Sequence, residues 1–418
     1  MEILSLSNES FGLEITDASV RAMKLKRRGK EVRVVSVGVA EVPAGVMKGG
    51  DVKDDDKLAA VIREAVSKVA GEKIKTKYAI VSLPENKAFL QVIRMPQLKN
   101  DDLRAAVVFE AENYIPLPLE KVYLDFEKVA DDTADPGANC EVMIAALPRD
   151  PVDALIKAIT KAGLVPVAME LESCAINRAL SFERELDSPV VMVHIGDIKT
   201  NIIIYADNSV RFTFSIPISN RYFLEMISKS VGVGMPEAAN LKRECGIEEF
   251  INHDRDAEEE ARSDREKIVK RVRQEENYEK EKIFEALVPG LVDFVQQVKK
   301  CITYYQTHYN GISAAKERVD KVLLCGSGSD LKGLAEFIGT KLGTSVDRAK
   351  LTVSKSLLEN YKEEKEACYE PCGFAVVFGL ALRALAAGKG KADDPKNKKN
   401  IAVPKPPAAK RRLTVKKS

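Results

Sequence analysis

The chain has 418 residues, with 65 Lys and Arg against 63 Asp and Glu and 45% hydrophobic content. That length allows two or three domains with substantial cores, and a net charge of +2 gives no overall bias toward nucleic acid. No run approaches the ~18 consecutive apolar residues of a membrane span, and MEILSLSNES at the start has neither a basic n-region nor a cleavage site, so no signal peptide is expected.

Seven cysteines are scattered without a CxxC spacing, and His194, His253 and His308 lie far apart. The expectation is reduced, mostly buried thiols in a cytoplasmic protein, with no thiol or metal hydrolase centre.

In chain order, Ser10 to Ile15 reads as a strand, Thr16 to Ser19 as a polar turn, and Val20 to Lys26 and Val32 to Val42 as two more strands. A helix is expected over Asp54 to Val69, with Leu58, Val61, Ile62, Ala65 and Val69 on one face. Strands follow at Lys77 to Leu83 and Phe89 to Met95, then a helix from Asn100 to Tyr114. Tyr114-Ile115-Pro116-Leu117-Pro118 must be extended, because two prolines break any helix. Strands at Val122 to Val129 and Val142 to Leu147 and a helix from Pro151 to Ala162 complete a small α/β insert. Glu170 and Glu172 precede a helix expected over Ser173 to Leu186.

The stretch Val190 to Ile204, VVMVHIGDIKTNIII, then reads strand, tight turn, strand. Gly196 permits a sharp bend, and Asp197, Lys199 and Thr200 put polar groups at its tip, where backbone N–H groups can meet a phosphate. A turn at Asn208-Ser209, a strand to Ile216 and a helix from Tyr222 repeat the order of the first segment. Two such α/β halves with turns facing one cleft suit an actin-like, ribonuclease-H-like duplicated fold with a small inserted subdomain.

Beyond a short helix at Pro236 to Cys245, residues 248–285 are densely charged with mixed sign and read as one long solvated helix. Leu291 to Tyr309 is amphipathic, with Val295, Val298, Ile302 and Tyr305 as core. Lys321 to Cys325 is a buried-type strand running into Gly326-Ser327-Gly328-Ser329 and a helix over Leu331 to Leu342, a turn able to stabilise an anion. Cys372 to Leu385 closes the fold as an apolar helix. From residue 388 the composition turns Lys/Pro-rich, with eleven Lys and Arg against two Asp, too polar to fold alone. The expected divisions are 1–84 for the first part of lobe one, 85–166 for the insert, 167–387 for the rest of both lobes, and 388–418 for a basic disordered tail.

FGLEITDASVRAMKL, AENYIPLPLEKVYLDF, MELESCAINRAL, VVMVHIGDIKTNIIIYADNSVRFTFSIPIS, EAANLKREC, the Tyr304-Tyr305 helix and VLLCGSGSDLKGLAEFIGTKLG together resemble the type IV pilus assembly PilM family, actin-like and related to the cell-division protein FtsA. The resemblance covers residues 10–385 apart from the charged stretch. It implies ATP and Mg²⁺ in the cleft, with Thr16, Asp17 and Ser19 in the first phosphate loop and Gly196, Asp197, Lys199 and Thr200 in the second. Gly326, Ser327 and Gly328 would approach the adenosine, Lys242 and Glu244 the adenine or ribose, and Glu14 and Asp197 would serve the metal. The implied partner is the cytoplasmic N-terminal peptide of a PilN-like inner-membrane protein, in a cleft beside the insert. Contacts at Tyr114, Ile115, Pro116 and Leu117 are assigned by position alone. The chain would then sit at the inner face of the cytoplasmic membrane, held through this partner, with homo-oligomerisation left open.

Departures fall where chemistry would occur. The family's Asp-Ile-Gly is Glu14-Ile15-Thr16, the acid two residues before the second glycine is His194, and the expected Gly-Gly is Ser219-Asn220. A neutral imidazole is a poor Mg²⁺ ligand, and loss of a water-positioning acid could cost ~10²-fold in rate. Slow hydrolysis, or a nucleotide held only structurally, is expected; loss of binding stays open. The alternatives are an active ATPase or kinase, with Glu14, Glu170 or Glu172 as candidate catalytic carboxylates, Glu170 and Glu172 as the general base that takes the acceptor's proton, and an FtsA-like membrane tether, for which the tail lacks an amphipathic helix.

Overall fold

The computed structural model describes residues 9–29, 31–98, 100–131, 139–182, 186, 188–247, 266–308, 318–351 and 371–387. The charged residues 248–265, with His253, the basic tail 388–418 and Cys368 lie outside them.

Alternating and fully apolar runs give β1 (Ser10–Ile15), β2 (Ser19–Arg28) and β3 (Glu31–Glu41). A short hairpin follows, β4 (Met47–Lys48) and β5 (Asp51–Val52). Its turn, Gly49-Gly50, holds φ of 60° and 83°, the left-handed pair that a two-residue hairpin loop requires. Helix α1 (Asp55–Ser67) starts where the Asp54 carboxylate accepts from the Lys57 N–H, and buries Leu58, Val61, Ile62 and Ala65. After β6 (Ala70–Gly71) and β7 (Tyr78–Leu83) the chain leaves for the insert: β8 (Phe89–Pro96), α2 (Asn100–Ala111), β9 (Val122–Asp131) and β10 (Asn139–Pro148). These strands form their own sheet, β8-β10-β9, with a separate small core around Val107, Ile115, Val142 and Ile144.

The chain returns through α3 (Arg149–Lys161), β11 (Val165–Leu171) and α4 (Glu172–Leu180). Although α3 falls within the range assigned to the insert from sequence, its Val152, Leu155, Ala158 and Ile159 pack into the first lobe's core. The second lobe has β12 (Val190–Ile195), β13 (Thr200–Ala206), β14 (Ser209–Ile216), α5 (Asn220–Val231) and α6 (Met235–Glu244). It continues with α7 (Glu266–His308), β15 (Lys321–Cys325), α8 (Leu334–Leu342) and β16 (Ser345–Arg348). Helix α9 (Ala375–Ala387) then packs back on β1, β2 and α4.

The duplication expected from element order is present in the hydrogen bonding. One sheet runs β11-β7-β1-β2-β3-β6 and the other β14-β13-β12-β15-β16. Without the two-residue β6, the two orders superimpose, β1 on β12 and β7 on β15. The senses agree as well: β1 is antiparallel to β2 and parallel to β7, as β12 is antiparallel to β13 and parallel to β15.

Three local readings change. The β13–β14 turn is Asp207-Asn208, both at positive φ, one residue earlier than expected. The Gly-rich turn is a short 3₁₀ segment, Ser327–Asp330, and α8 starts only after Gly333. The charged and amphipathic stretches are not separate helices: α7 runs 43 residues straight through Pro289. A proline inside a helix costs about 3 kcal/mol. Full burial of Ile283, Leu287, Leu291, Phe294 and Val298 on the same helix offsets that cost.

Candidate functional site

Strand alternation decides which side chains reach the space between the lobes. On β12, Val191, Val193 and Ile195 join the core of the second lobe, while Val190 and Met192 join the core of the first. His194 follows that second set, so it faces the first lobe. The same logic acts on β1: Gly12 sits so close to α9 that an added Cβ would lie 2.6 Å from the Ala381 nitrogen, and Glu14 lies on that face. Register then supplies partners. Glu14 stands directly opposite Arg21 on β2, and His194 opposite Asn201 on β13.

Glu14, Arg21 and His194 wall a cavity of about 280 Å³ with Thr16, Asp17, Gly49, Gly50, Asn86, Glu172, Gly196, Asp197 and Lys199. Arg21 spans it. Its guanidinium lies 3.3 Å from Glu14 Oε1, donates to the Gly373 carbonyl at 3.1 Å, and reaches across the lobes to Asp197 Oδ2 at 2.6 Å. The other Asp197 oxygen accepts from the Ser327 hydroxyl at 2.5 Å and from the Asn220 amide at 3.4 Å. Lys242, buried in α6, continues the line to Asn220 Oδ1 and Asp330 at 2.5 Å each and to the Ser327 carbonyl at 3.1 Å. On the other wall, Lys199 meets Glu172 at 2.9 Å and Asn86 at 3.4 Å, and Asn201 donates to Glu172 at 2.7 Å.

Burial sets the protonation states. It pushes the Glu14 carboxyl up to about 7, although Arg21 pulls the other way. It pushes His194 down to about 4, so the imidazole is neutral at neutral pH. Burial opposes ionisation of Asp197 too, but the Arg21 charge and the Ser327 hydroxyl hold its carboxyl below the usual range. Two polar atoms buried in the cavity wall, Glu14 Oε2 and His194 Nδ1, have no hydrogen-bond partner among the described residues.

The sequence-selected residues divide. Thr16, Asp17, Gly196, Asp197 and Lys199 line the cavity with Glu14 and Glu172. Ser327 and Lys242 join through hydrogen bonds. Thr200 turns inward, its hydroxyl donating to the Ile218 carbonyl, and Ser19 is buried in β2. Glu244 is exposed at the end of α6. Glu170 is clamped by Arg178 and, at 2.5 Å, by Arg383; these charges hold its carboxyl low against the opposing effect of burial, which removes it as an acid or base. Gly326, at φ 90°, and Gly328 are required by Ile195, whose backbone and side chain a Cβ at either position would overlap. Ile115 is a core residue of the insert, while Tyr114, Pro116 and Leu117 are exposed. Sequence reading missed Arg21 and Asn86, and marked Asn220 only as a departure from the expected Gly-Gly. Arg21 left one signal, an ionisable residue in the apolar middle of a strand.

The donors suit Mg²⁺-nucleotide in part. Lys199 and Arg21 are cations that phosphate oxygens can engage. Glu14 and Asp197 are the oxygen ligands Mg²⁺ prefers. Among the described residues no group of three or more His, Cys, Asp or Glu is arranged around a metal position. The first turn is less open. The Thr16 hydroxyl accepts from the Ala18 and Ser19 N–H groups at 3.3 and 3.0 Å, so those amides are taken.

A family model described as type IV pilus assembly protein PilM matches residues 12–254, and one described as cell division protein FtsA matches residues 191–371. Among solved structures, the chain is similar to a PilM-PilN type IV pilus biogenesis complex, at 23% identity and a TM-score of 0.68 over 90% of this chain and 98% of that one. Fainter likenesses include ethanolamine utilization protein EutJ from Carboxydothermus hydrogenoformans, at 15% identity and a TM-score of 0.48 over 89% and 88% of the two chains. MreB 5 of Spiroplasma citri bound to AMPPNP gives 10% and 0.46 over 89% and 95%. With the matching sheet orders, the first likeness establishes a two-lobed actin-like fold.

Proposed function

The chain belongs to the type IV pilus assembly protein PilM family, and from that premise we propose that it is a cytoplasmic actin-like scaffold of a type IV pilus or related secretion platform. In this reading it binds the cytoplasmic N-terminal peptide of a PilN-like inner-membrane protein, and works at the inner face of that membrane. The observation that carries the reading is the shared fold with the PilM of a PilM-PilN complex over nearly the whole of both chains. Among the described residues no helix is long and apolar enough to cross a membrane, which agrees with attachment through a partner.

For the peptide, the insert offers an apolar strip. Val108 and Phe109 on α2 and Tyr114 and Leu117 just after it are exposed, Phe109 by 72%. Large apolar groups are seldom left together on a surface without a partner. Fluorescence anisotropy with the N-terminal peptide tests this. Phe109→Ala with Tyr114→Ala should weaken binding about tenfold or more; unchanged affinity would move the contact elsewhere.

For the cleft, the proposed ligand is Mg²⁺-ATP, hydrolysed slowly or not at all. Bound Mg²⁺ would polarise the phosphates. Arg21 and Lys199 would hold phosphate oxygens, and Glu14 and Asp197 would orient the ion's waters. Of the cavity's possible bases, Glu14, raised by burial to about 7, is the one matched to neutral pH, but it is engaged by Arg21. His194 has a pKa of about 4, too low to take a proton efficiently at neutral pH, and Glu172 is tied to Lys199 and Asn201. A cavity of about 280 Å³ is at the small end for ligand sites, so entry requires the Arg21–Asp197 bridge to part. Titration calorimetry decides the point. Thr16→Gly should tighten Mg²⁺-ATP about tenfold by releasing two amides for phosphate. A flat trace for both parent and variant would leave the cleft without a nucleotide role.

A further inference from the structure

We propose that the end of the first lobe opposite the cleft docks directly on an anionic lipid bilayer. The register of β1 with β2 pairs Gly12 with Met23. Continued, it sets Ser10 against Leu25, so Lys26, Arg27 and Arg28 extend past the first residue of β1. They remain paired with β3, Arg28 opposite Glu31, and the ribbon projects about 10 Å at the usual rise per residue. The connection from β6 to β7 lies alongside it. The Glu72 N–H donates to the Val35 carbonyl at 2.8 Å, and Lys26 pairs with Glu72. Lys26 foremost, with Lys24 and Lys75 adding their charges, holds the Glu72 carboxyl low, which puts Lys75 in the same cluster.

Lys26, Arg27, Arg28, Arg33, Lys73 and Lys75 are all exposed. Lys26 and Arg33 are matched by Glu72 and Glu31. Arg27, Arg28, Lys73 and Lys75 make no ion pair among the described residues, although Arg28 stands opposite Glu31 and Lys75 lies within electrostatic range of Glu72. Against the exposed Glu9, Glu31 and Glu72, these six cations leave a net positive patch on two adjacent connections at one end of the sheet.

The fold brings a second basic feature to the same end. Helix α9 begins beside the cleft, where Gly373 meets Arg21, and runs along β1 past Val377 and Ala381 at Gly12. Its 13 residues cover about 20 Å, the length of the six-residue β1. Ala387 therefore ends near Ser10, and the eleven Lys and Arg of residues 388–418 follow from that point. A broad, flat, negative surface is what such a pairing of folded patch and basic extension complements, each cation near an anionic leaflet being worth roughly fivefold in partition. The inference extends the membrane-face reading above but needs no peptide contact.

Flotation of the full chain with vesicles of phosphatidylcholine, alone or with an equal part of phosphatidylglycerol, tests it. The parent should float only with the anionic vesicles and detach as salt rises. The variant Arg27→Glu, Arg28→Glu, Lys75→Glu should lose about tenfold or more of that partition, with its melting temperature and peptide affinity kept. The neutral pair Lys73→Gln, Lys75→Gln should lose less. Deleting residues 388–418 should reduce binding without abolishing it. The proposal fails if the parent ignores anionic vesicles at low salt, or if the triple variant floats like the parent. It also fails if duplex DNA at equal ionic strength captures the chain as well as vesicles do. Peptide binding lost in a parent that still floats would count against the proposed function and leave this inference standing.

Discussion

Glu14 and His194 each occupy the fifth residue of a six-residue strand, at matching places in the two lobes. Burial acts on them in opposite senses. Glu14 ionises near 7 when folded against 4.5 for the free group, so the unfolded chain gives up its proton first as pH rises. Its ionisation therefore adds nothing below about pH 4.5 and destabilises the fold progressively up to about pH 7. His194 falls from 6.5 to about 4, so the unfolded chain gains the proton first on acidification, and stability is lost as pH falls from 6.5 toward 4. Glu14→Gln removes only the first effect. Its melting temperature should exceed the parent's at about pH 8 and converge with it near pH 4; a gap that stays constant with pH would show that Glu14 titrates normally. The identity of these side chains was legible, and the loss of the family's acid at His194 was read from sequence. Their protonation was not, because it depends on which atoms surround them.

Among the elements, α9 seals one face of the first lobe's sheet. It lies on β1 and β2 and against α4, and close approach is bought by small residues. At Gly12 an added Cβ would meet Ala381 N at 2.6 Å and Val377 O at 2.7 Å, both backbone atoms that cannot rotate away. Gly379 is held as tightly against the Ala175 carbonyl. Gly12→Ala should lower stability by about 1–3 kcal/mol through overpacking, read as a shift in the denaturant midpoint; an unchanged midpoint would mean that α9 can step back freely. Most elements were visible in the hydrophobic period, as Leu58, Val61, Ile62 and Ala65 on α1 illustrate. The continuity of α7 was not, since Pro289 argues locally for a break and the core contacts of Ile283 to Val298 overrule it.

For the whole molecule, the insert is tied to the second lobe. Arg211 on β14 pairs with Glu141 on β10, and both are almost fully buried. Arg94 of β8 lies 3.5 Å from the same carboxylate. Glu85, in the short segment entering the insert, accepts from the Ser173 N–H and hydroxyl at 3.0 Å each. Beside it, Asn86 contacts Lys199 in the cleft. The segment that enters the insert thus touches both α4 and the cleft. Arg211→Met leaves Glu141 buried with only the distant Arg94, and should cost about 3 kcal/mol. Adding Glu141→Gln should recover most of the loss, as a double-mutant cycle in melting temperature would record. Additive losses would show that the two side chains act independently.

From residue order alone came the duplicated halves, the position of the insert, the polar tips at Thr16 and Gly196, and the family resemblance. All are local patterns or their spacing, and periodicity carries such information along one dimension. Tertiary structure alone decided that Arg21 bridges Glu14 and Asp197, that Glu170 is locked between two arginines, that Ile115 turns inward, and that two basic segments share one end. Those outcomes depend on strand register and on residues up to several hundred positions apart, such as Arg21 and Gly373, which no window along the chain can contain.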